Sequence, residues 1–464
     1  MAAPENITPQ DPENVNEAGD VITETLRVRA ADGTTIDISN FCIDLTLYED
    51  MFSNVLMGEA IIGDSAGLIS AIQFQGLEYL TLSYRTPSFT ETISKSFFIS
   101  KVSERFFSAN DRQEVYRLSF VSIEGQVDNN IAISKKYSGI TSDLVTQIYN
   151  DYLKVPRFID VIKDTPLKVK AALSSTASFV ASSWSPFRAI NWLAARSFIT
   201  ATSAPNYLFY ESNKSFNFVS VEDLITWQRN SGRLFAEYIY FPGASSIQSK
   251  KKGEFTFSKP EILKQYSMVR NIRPFTVMDV LSGQDHGYYA SKLVVNDLTL
   301  KTFQLFPFDY HSAHTQFNNL EDYVANKDSF NSTPAKNTQT FSSQLIRHPE
   351  TYKVVRTRQY KAHNDLQDPL YEKWVLQRNS MMYELGALRL EIEVPGRTDI
   401  EVGKIINFLY PKNIDKAAGT LIEDALDPYM SGLYIITAIR HSFSLNKHTM
   451  YLELAKDSFR TGLT

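Results

Sequence analysis

The alternation of apolar and polar residues is strongest at the two ends of the chain. From residue 23, Leu26, Val28 and Ala30 lead to the turn dipeptide Asp32-Gly33, which is typical of a β-hairpin. Four further short alternating segments follow, at residues 56–62, 76–84, 97–106 and 115–121. Short strands at this spacing favour a barrel or sandwich, so we predict a first β-barrel module at residues 23–125.

Helical periodicity replaces this alternation after about residue 125. Ser142 precedes an apolar face that includes Leu144 and Ile148, and Ser185-Pro186 is a start signal for a second helix. An aromatic hairpin follows at residues 207–218. The sequence therefore predicts an α+β domain at residues 126–242.

A long irregular segment separates this domain from the final strands. Residues 285–384 are rich in Asn, Ser, Asp and aromatic residues, and we predict that they form an insertion domain. Strict alternation returns at residues 388–394, so residues 243–284 and 385–464 are predicted to form a second β-barrel module. Residues 1–22 lack the basic and apolar regions of a secretory signal and are predicted to be a disordered acidic leader.

The last strands repeat the order of the first module, which is an internal duplication at low identity. Residues 56–62 correspond to 388–394, and residues 76–84 correspond to 403–410. The clearest piece comprises Ile99-Ser100, Val102, Phe106, a turn at Asn110 and Leu118. These correspond in order to Ile436-Thr437, Ile439, Phe443, a turn at Asn446 and Leu454. The predicted fold is α+β and β-rich: two similar antiparallel β-barrel modules with an intervening α+β domain and an insertion domain.

Composition narrows the function classes. A chain of 464 residues with 43% hydrophobic and 21% charged residues is globular, with several domains. A net charge of −5 argues against sequence-specific binding to a nucleic acid. The single cysteine, Cys42, excludes a disulfide within the chain and any cysteine-based zinc or iron–sulfur site. No apolar stretch is long enough for a spanning helix, so no membrane insertion is predicted.

One motif resembles the active-serine segment of hydrolases. Residues 63–67 match G-x-S-x-G around Ser65. The first histidine of the chain is His286, downstream of the serine, and the motif lies among consecutive short strands rather than in a strand–turn–helix unit. We therefore interpret it as a turn.

Other candidate residues also favour structural roles. Asp309 and the histidine pair His311 and His314 could be metal ligands, but no further ligand follows at a recognised spacing. We expect His441 and His448 to face solvent. The basic run of Lys250, Lys251 and Lys252 is interpreted as a solvated loop. No phosphate-binding glycine loop is present in the sequence. No catalytic, cofactor-binding or metal-ligating residue is predicted, and no cofactor.

The order of these modules resembles the central baseplate hub protein of contractile-tailed phages of the T4 type. The better-marked segments are residues 76–84, 186–223 and 403–456, with the preceding helix that carries Trp374. The resemblance implies a homotrimer in which six barrels form a pseudo-sixfold ring. Such a hub joins a hexameric tail-tube or tube-initiator protein to a trimeric central spike protein, and lets tape measure protein and genome pass. Baseplate wedge proteins are further possible partners.

The resemblance implies a structural protein of the virion tail baseplate, assembled in the host cytoplasm, and not an enzyme. Which residues form the partner interfaces is not predicted. A hub or spike component of a related contractile injection or type VI secretion machine is the alternative. A receptor-binding tail protein ranks lower, and a serine hydrolase acting through Ser65 ranks last.

Overall fold

A computed structural model describes most of the chain. The described residues are 17–87, 89, 91–107, 113–154, 166–170, 175–198, 205–232, 234, 236–240, 264–276, 279–297, 301–313, 316–321, 353–358, 371–386, 388–412, 426–444 and 446–458. Within them the fold is β-rich with modest helices, which confirms the predicted α+β class. No helix among these residues is long and apolar enough to cross a membrane.

The strands fall into three groups along the chain. The first strand set comprises β1 (Ile22–Arg29), β2 (Thr35–Asp37), β3 (Cys42–Asp50), β4 (Met57–Asp64), β5 (Tyr79–Arg85), β6 (Thr92–Phe107) and β7 (Glu114–Ser122). The middle region holds β8 (Ile133–Ile140), β9 (Leu167–Val169), β10 (Thr176–Trp184), β11 (Tyr207–Glu211) and β12 (Phe216–Ser220). The remaining strands are β13 (Glu237–Tyr240), β14 (Met268–Val269), β15 (Asn271–Thr276), β16 (Ala290–Asp297), β17 (Thr302–Asp309), β18 (Lys353–Arg358), β19 (Leu388–Pro395), β20 (Ile405–Leu409), β21 (Gly432–Ser444) and β22 (Lys447–Lys456).

The helices are short and lie mostly between the strand sets. They are α1 (Leu68–Ile72), α2 (Ile123–Asn130), α3 (Thr141–Ile148), α4 (Pro186–Ala194), α5 (Val221–Ser231), α6 (Val280–Asp285), α7 (Tyr310–Ala313) and α8 (Val375–Glu384). The start of α4 follows the predicted signal, because the Ser185 side chain accepts a hydrogen bond from the Arg188 N–H, and Pro186 is the first helical residue.

The pairing order of the first strand set recurs in a second set formed by β13–β15 and β19–β22. The first set pairs in the order β2-β1-β5-β6-β7-β4-β3, and the second in the order β14-β13-β20-β21-β22-β19-β15. If the seven strands of each set are numbered along the chain, both sets pair in the order 2-1-5-6-7-4-3. One strand differs in sense: β13 pairs parallel with β14 and β20, whereas β1 pairs antiparallel with β2 and β5.

The ladders fix which residues correspond between the two sets. Ile99 pairs with Phe120, and Ile436 pairs with Leu454. Phe120, and not Leu118 as the sequence alignment expected, is therefore the counterpart of Leu454. By the same ladders Phe107, and not Phe106 as expected, is the counterpart of Phe443, because β6 has a second register shift between Ser103 and Phe106. The correspondence of residues 56–62 with 388–394 agrees with these pairings.

Each strand set has its own apolar core. In β19 Leu388, Leu390, Ile392 and Val394 are buried, whereas the intervening residues are only partly buried. This is the pattern of a strand with one face on a core. The core of the first set includes Leu26, Leu45, Leu80, Phe97 and Phe120, and that of the second includes Ile392, Ile406, Phe408, Ile436 and Leu452.

Two boundaries of the sequence analysis differ from the pairings. Glu237–Tyr240, placed in the α+β domain at 126–242, forms β13 of the second set, with Tyr238 buried in its core. Within the predicted leader, residues 17–22 are packed: the His448 N–H donates to Gly19 O at 2.8 Å, and Val21 N–H donates to Asn446 O at 3.0 Å. The rest of that leader, residues 1–16, lies outside the described residues.

The middle region and the insertion form smaller sheets. β10 pairs with β8, and β11, β12 and β9 form a three-stranded sheet. Their core includes residues of α3 and α4. Within residues 285–384, β17, β16 and β18 form another three-stranded sheet, and Val375 and Leu376 of α8 pack on β16 through Leu293 and Val295.

Candidate assembly interface

The two strand sets are joined by β21. The first half of this strand pairs with β20, and its second half pairs with β3 of the first set, from Ala438 opposite Asp50 to Ser444 opposite Asp44. Its other edge pairs with β22. Hydrogen bonding therefore continues from one set into the other within a single 14-stranded sheet.

Phe443 anchors this junction. It belongs to β21 of the second set, yet its side chain lies in the core of the first set and is only 7% exposed. Its ring contacts Tyr84 of β5 edge-on, with centroids 4.7 Å apart. Opposite it on β3 is Leu45, which belongs to the same core. The Phe443 side chain of the second set thus completes the apolar core of the first set.

A buried chain of polar groups lies beside Phe443. Glu49 of β3 accepts a hydrogen bond at Oε1 from His441 Nε2 at 2.8 Å. His441 Nδ1 lies 3.0 Å from Nε2 of His448 on β22. All three side chains are fully buried or nearly so. Buried polar groups that are paired specify one arrangement of their elements, and here those elements come from both strand sets.

The middle region also contacts this polar cluster. Asn213, in the turn between β11 and β12, donates from its side-chain amide to Glu49 Oε1. Its backbone N–H donates to Glu49 Oε2 at 3.3 Å. In the same turn the Ser212 hydroxyl donates to Glu401 Oε2 at 2.7 Å. The turn therefore contacts both strand sets at their junction.

Burial changes the acid–base behaviour of this cluster. Desolvation, reinforced by the nearby His441, holds the pKa of His448 well below its ordinary value. Burial, followed by the charge of Glu49, raises the pKa of the Tyr84 hydroxyl well above its ordinary value. His448 Nδ1 is buried without a hydrogen-bond partner in the structure. His448 is thus a neutral buried imidazole at neutral pH.

The prediction that His441 and His448 face solvent is wrong. Both side chains are buried, at 0% and 1% exposure. A signal was present in the alternation, because His441 shares a strand face with Ile439 and Phe443, and all three are buried. The reason for the difference is tertiary: the side chains of Glu49 on β3 and of Asn213, both from outside the hairpin, contact His441.

The structure places the G-x-S-x-G segment at the end of β4. Ser65 lies in a turn that leads into the five-residue helix α1, so the local order is strand, turn and short helix, unlike the run of strands expected from the sequence. Asp64 organises this turn, since its carboxylate accepts hydrogen bonds from the N–H groups of Ala66 at 2.9 Å and Ile69 at 3.0 Å. These contacts give the motif a turn-forming role.

The remaining candidates lie at a strand end, in a short helix or outside the described residues. Asp309 ends β17 and His311 lies in α7, whereas His314 and the lysines 250–252 lie outside the described residues. The described part of the chain contains no group of three or more His, Cys, Asp or Glu side chains that could hold a metal ion. Burial raises the pKa of the Cys42 thiol to about 12, which keeps the thiol protonated.

Comparison with known proteins places this fold. No family model matches the chain, and no curated protein matches its sequence. A tail protein from Neisseria meningitidis is similar in structure, with a TM-score of 0.50 at 9% identity, over 93% of this chain and 96% of the other. The chain has the fold of that tail protein. The expected resemblance to phage tail proteins is thereby confirmed for the fold.

Two further solved structures of this kind are less similar. A 43 kDa prophage tail protein from Shewanella oneidensis has a TM-score of 0.49 at 7% identity, over 94% of this chain and 99% of its own. The E. coli c3393 protein, described as a type VI secretion component similar to phage tail proteins, has a TM-score of 0.38 at 9% identity, over 95% and 80%. These solved structures are tail or secretion-machine components.

Proposed function

We propose that this protein is the structural hub of a phage contractile-tail baseplate. In this role three copies form a pseudo-sixfold ring, in which each copy contributes two similar modules. One face of the ring receives a hexameric tail-tube layer, and the other receives a trimeric central spike. The ring leaves a passage for tape measure protein and genome. The protein acts by docking its partners and catalyses no reaction.

The observation that carries this proposal is the repeated pairing order within one continuous sheet. A ring of six equivalent positions built from three chains needs two equivalent modules per chain, joined in the way that successive modules around the ring are joined. The two strand sets share the order of all seven strands and are joined through β21 and β3. The contact between them is head-to-tail, since it uses different strands of each set, and such contacts generate rings when their rotation closes.

We further propose that each strand set curls into a barrel in which the two terminal strands lie side by side without pairing. In the second set β14 and β15 are separated by one residue, Arg270, and pair with strands at opposite ends of the order, β13 and β19. In the first set β2 leads into β3 through a 3-10 turn at Ser39–Phe41. Consecutive terminal strands of this kind bring the two ends of a sheet close together, as in a barrel. The outer edge of β3 is paired with β21, and among the described strands the outer edge of β15 remains available for another chain.

The solution mass of the full-length chain, measured by light scattering, tests the trimer. We expect about three times 52.7 kDa, and negative-stain averages of the same peak with a central hole and six similar lobes. Addition of hexameric tube protein and trimeric spike protein should then give a complex with one partner on each face. A compact dimer, or a monomer that associates with neither partner, would rule out the hub.

A further inference from the structure

We propose that the outer half of β6, with Phe107 at its end, pairs with β15 of a second copy of this chain, and that Phe107 enters the core of that copy's second strand set. This proposal rests on the proposed ring, and it names the surface through which one copy binds the next. The occupant of the surface is another copy because the chain already makes the equivalent contact within itself.

The contact within the chain provides the template. The second half of β21 lies against β3, where Phe443 is opposite Leu45 and Ser442 is opposite Thr46. Phe443 is buried by this pairing. In the numbering of the strand sets, strand six of one module pairs with strand three of the other. The remaining strand six is β6, and the remaining strand three is β15.

The hairpin ladders identify the counterpart of Phe443. Within the second set Phe443 is opposite His448, six residues before Leu454. Within the first set Phe107 is opposite Glu114, six residues before Phe120, the counterpart of Leu454. Phe107 is therefore the counterpart of Phe443.

The two phenylalanines differ in environment. Phe443 is 7% exposed, whereas Phe107 is 66% exposed. Its neighbour Phe106, the counterpart of Ser442, is 56% exposed. Phe106 and Phe107 point to opposite faces of the strand, so each face of the strand end exposes an aromatic ring. Exposed apolar area of this kind marks a protein contact. Phe107 is thus exposed at the position where its counterpart Phe443 is buried in the core of the other strand set.

The receiving surface is present on the second strand set. Ile272 of β15 is opposite Ile392, and Leu45 of β3 is opposite Ala60. Ile392 and Ala60 occupy corresponding positions in the two strand sets. Ile272 is thus the counterpart of Leu45, and Arg273 is that of Thr46. Among the described strands β15 pairs with β19 only, whereas β3 is paired along both edges.

Further features of this surface match the template. The counterpart of Tyr84, which contacts Phe443, is Tyr410, which packs at the margin of the second core. Phe275 of β15 is 43% exposed. An edge strand with exposed apolar side chains is a template for pairing with another chain. The expected register places Phe107 opposite Ile272 and Phe106 opposite Arg273.

Engineered cysteines test this register. In a Cys42→Ala background, Phe106→Cys and Arg273→Cys are combined in one chain and oxidised. Directly opposite residues of an antiparallel pair have Cβ atoms about 5 Å apart, close enough for a disulfide after a small adjustment. We expect covalent species at about two and three times 52.7 kDa on a non-reducing gel. A mixture of the two single variants should give only covalent dimers, because the contact uses a different strand from each copy.

Two controls make the result interpretable. Thr46→Cys with Ser442→Cys, the same pair of positions within one chain, should form an intramolecular disulfide and shows that the fold and the oxidation are intact. Phe106→Cys with Asn271→Cys, displaced by two residues, should cross-link much more slowly.

The outcomes separate this inference from the proposed function. Cross-linked trimers from the Phe106 and Arg273 pair support both. A ring-shaped trimer that cross-links no faster with Arg273→Cys than with Asn271→Cys overturns the strand pairing and leaves the hub in place. A chain that forms no trimer at the concentrations used for oxidation, with or without the tube and spike proteins, overturns both.

Discussion

At the residue scale, the buried His448 sets the acid stability of the junction. Its pKa is depressed in the folded protein by burial and by His441, whereas an unfolded histidine has a pKa near about 6.5. Below that value the unfolded chain binds more protons at this residue than the folded chain. The contribution of His448 to stability is therefore present above about pH 6.5 and is lost as the pH falls through that value.

This linkage gives a testable pH dependence. We expect the apparent unfolding temperature to fall between pH 7.5 and 5.5, and His448→Gln to reduce that fall, because glutamine can still donate to His441 and does not titrate. Thermal scans by circular dichroism at matched ionic strength measure the slope. The exposed histidine His286 provides the control His286→Gln, which should keep the wild-type slope. An unchanged slope in His448→Gln would contradict the assignment.

At the element scale, both β6 and β21 carry a bulge at the same place. The register shifts at Ser100 in β6 and at Thr437 in β21, which are counterparts. The Ser100 hydroxyl donates to Ser119 O at 3.1 Å, and the Thr437 hydroxyl is within 3.3 Å of Glu453 O and 2.8 Å of Glu453 Oε1. Such bulges bend a strand and increase its twist, and a hydroxyl group accompanies the extra residue in both sets.

The hydroxyl of Thr437 should therefore contribute measurably to stability. Thr437→Val keeps the shape of the side chain but removes the part-buried hydroxyl that donates to Glu453, and we expect a loss of about 1 kcal/mol in the free energy of unfolding. Thr437→Ser keeps the hydroxyl and should lose less. Urea unfolding followed by tryptophan fluorescence gives the comparison through the midpoint. Equal losses in both variants would show that the methyl group, rather than the hydrogen bond, supports the bulge.

The sequence pattern predicted several of these strands but not the contacts between the two strand sets. Period-two alternation located β4, β5, β19 and β20 and their correspondence, because each has one face on a core. It did not locate the Glu49–His441–His448 cluster, whose members are up to 399 residues apart in sequence and meet only through the β21–β3 pairing. It also missed that β13 belongs to the second strand set, since four residues carry too little pattern to reveal a pairing partner.

At the scale of the whole molecule, the two modules explain how one chain could specify a ring. A single head-to-tail contact, used once within the chain and once between chains, provides every junction of a closed assembly. The internal junction is reinforced by the buried Glu49 cluster and by the Asn213 turn. At the proposed external junction, the counterparts of Phe443 and Leu45 are present as Phe107 and Ile272. The internal contact thus forms on folding, and the external one depends on concentration.

That difference predicts a concentration-dependent stability. Association of folded copies raises the apparent unfolding temperature by mass action, so we expect it to rise with the concentration of the wild-type chain. Phe107→Glu places a charge at the position that would enter the core of the second copy, and it should abolish this dependence. At the lowest concentration its unfolding temperature should match that of the wild type. Phe303→Glu, at a phenylalanine that is 61% exposed on β17, is the matched control and should behave as the wild type. Differential scanning fluorimetry across a dilution series makes the measurement, and a Phe107→Glu protein that keeps the full dependence would exclude β6 from the contact between copies.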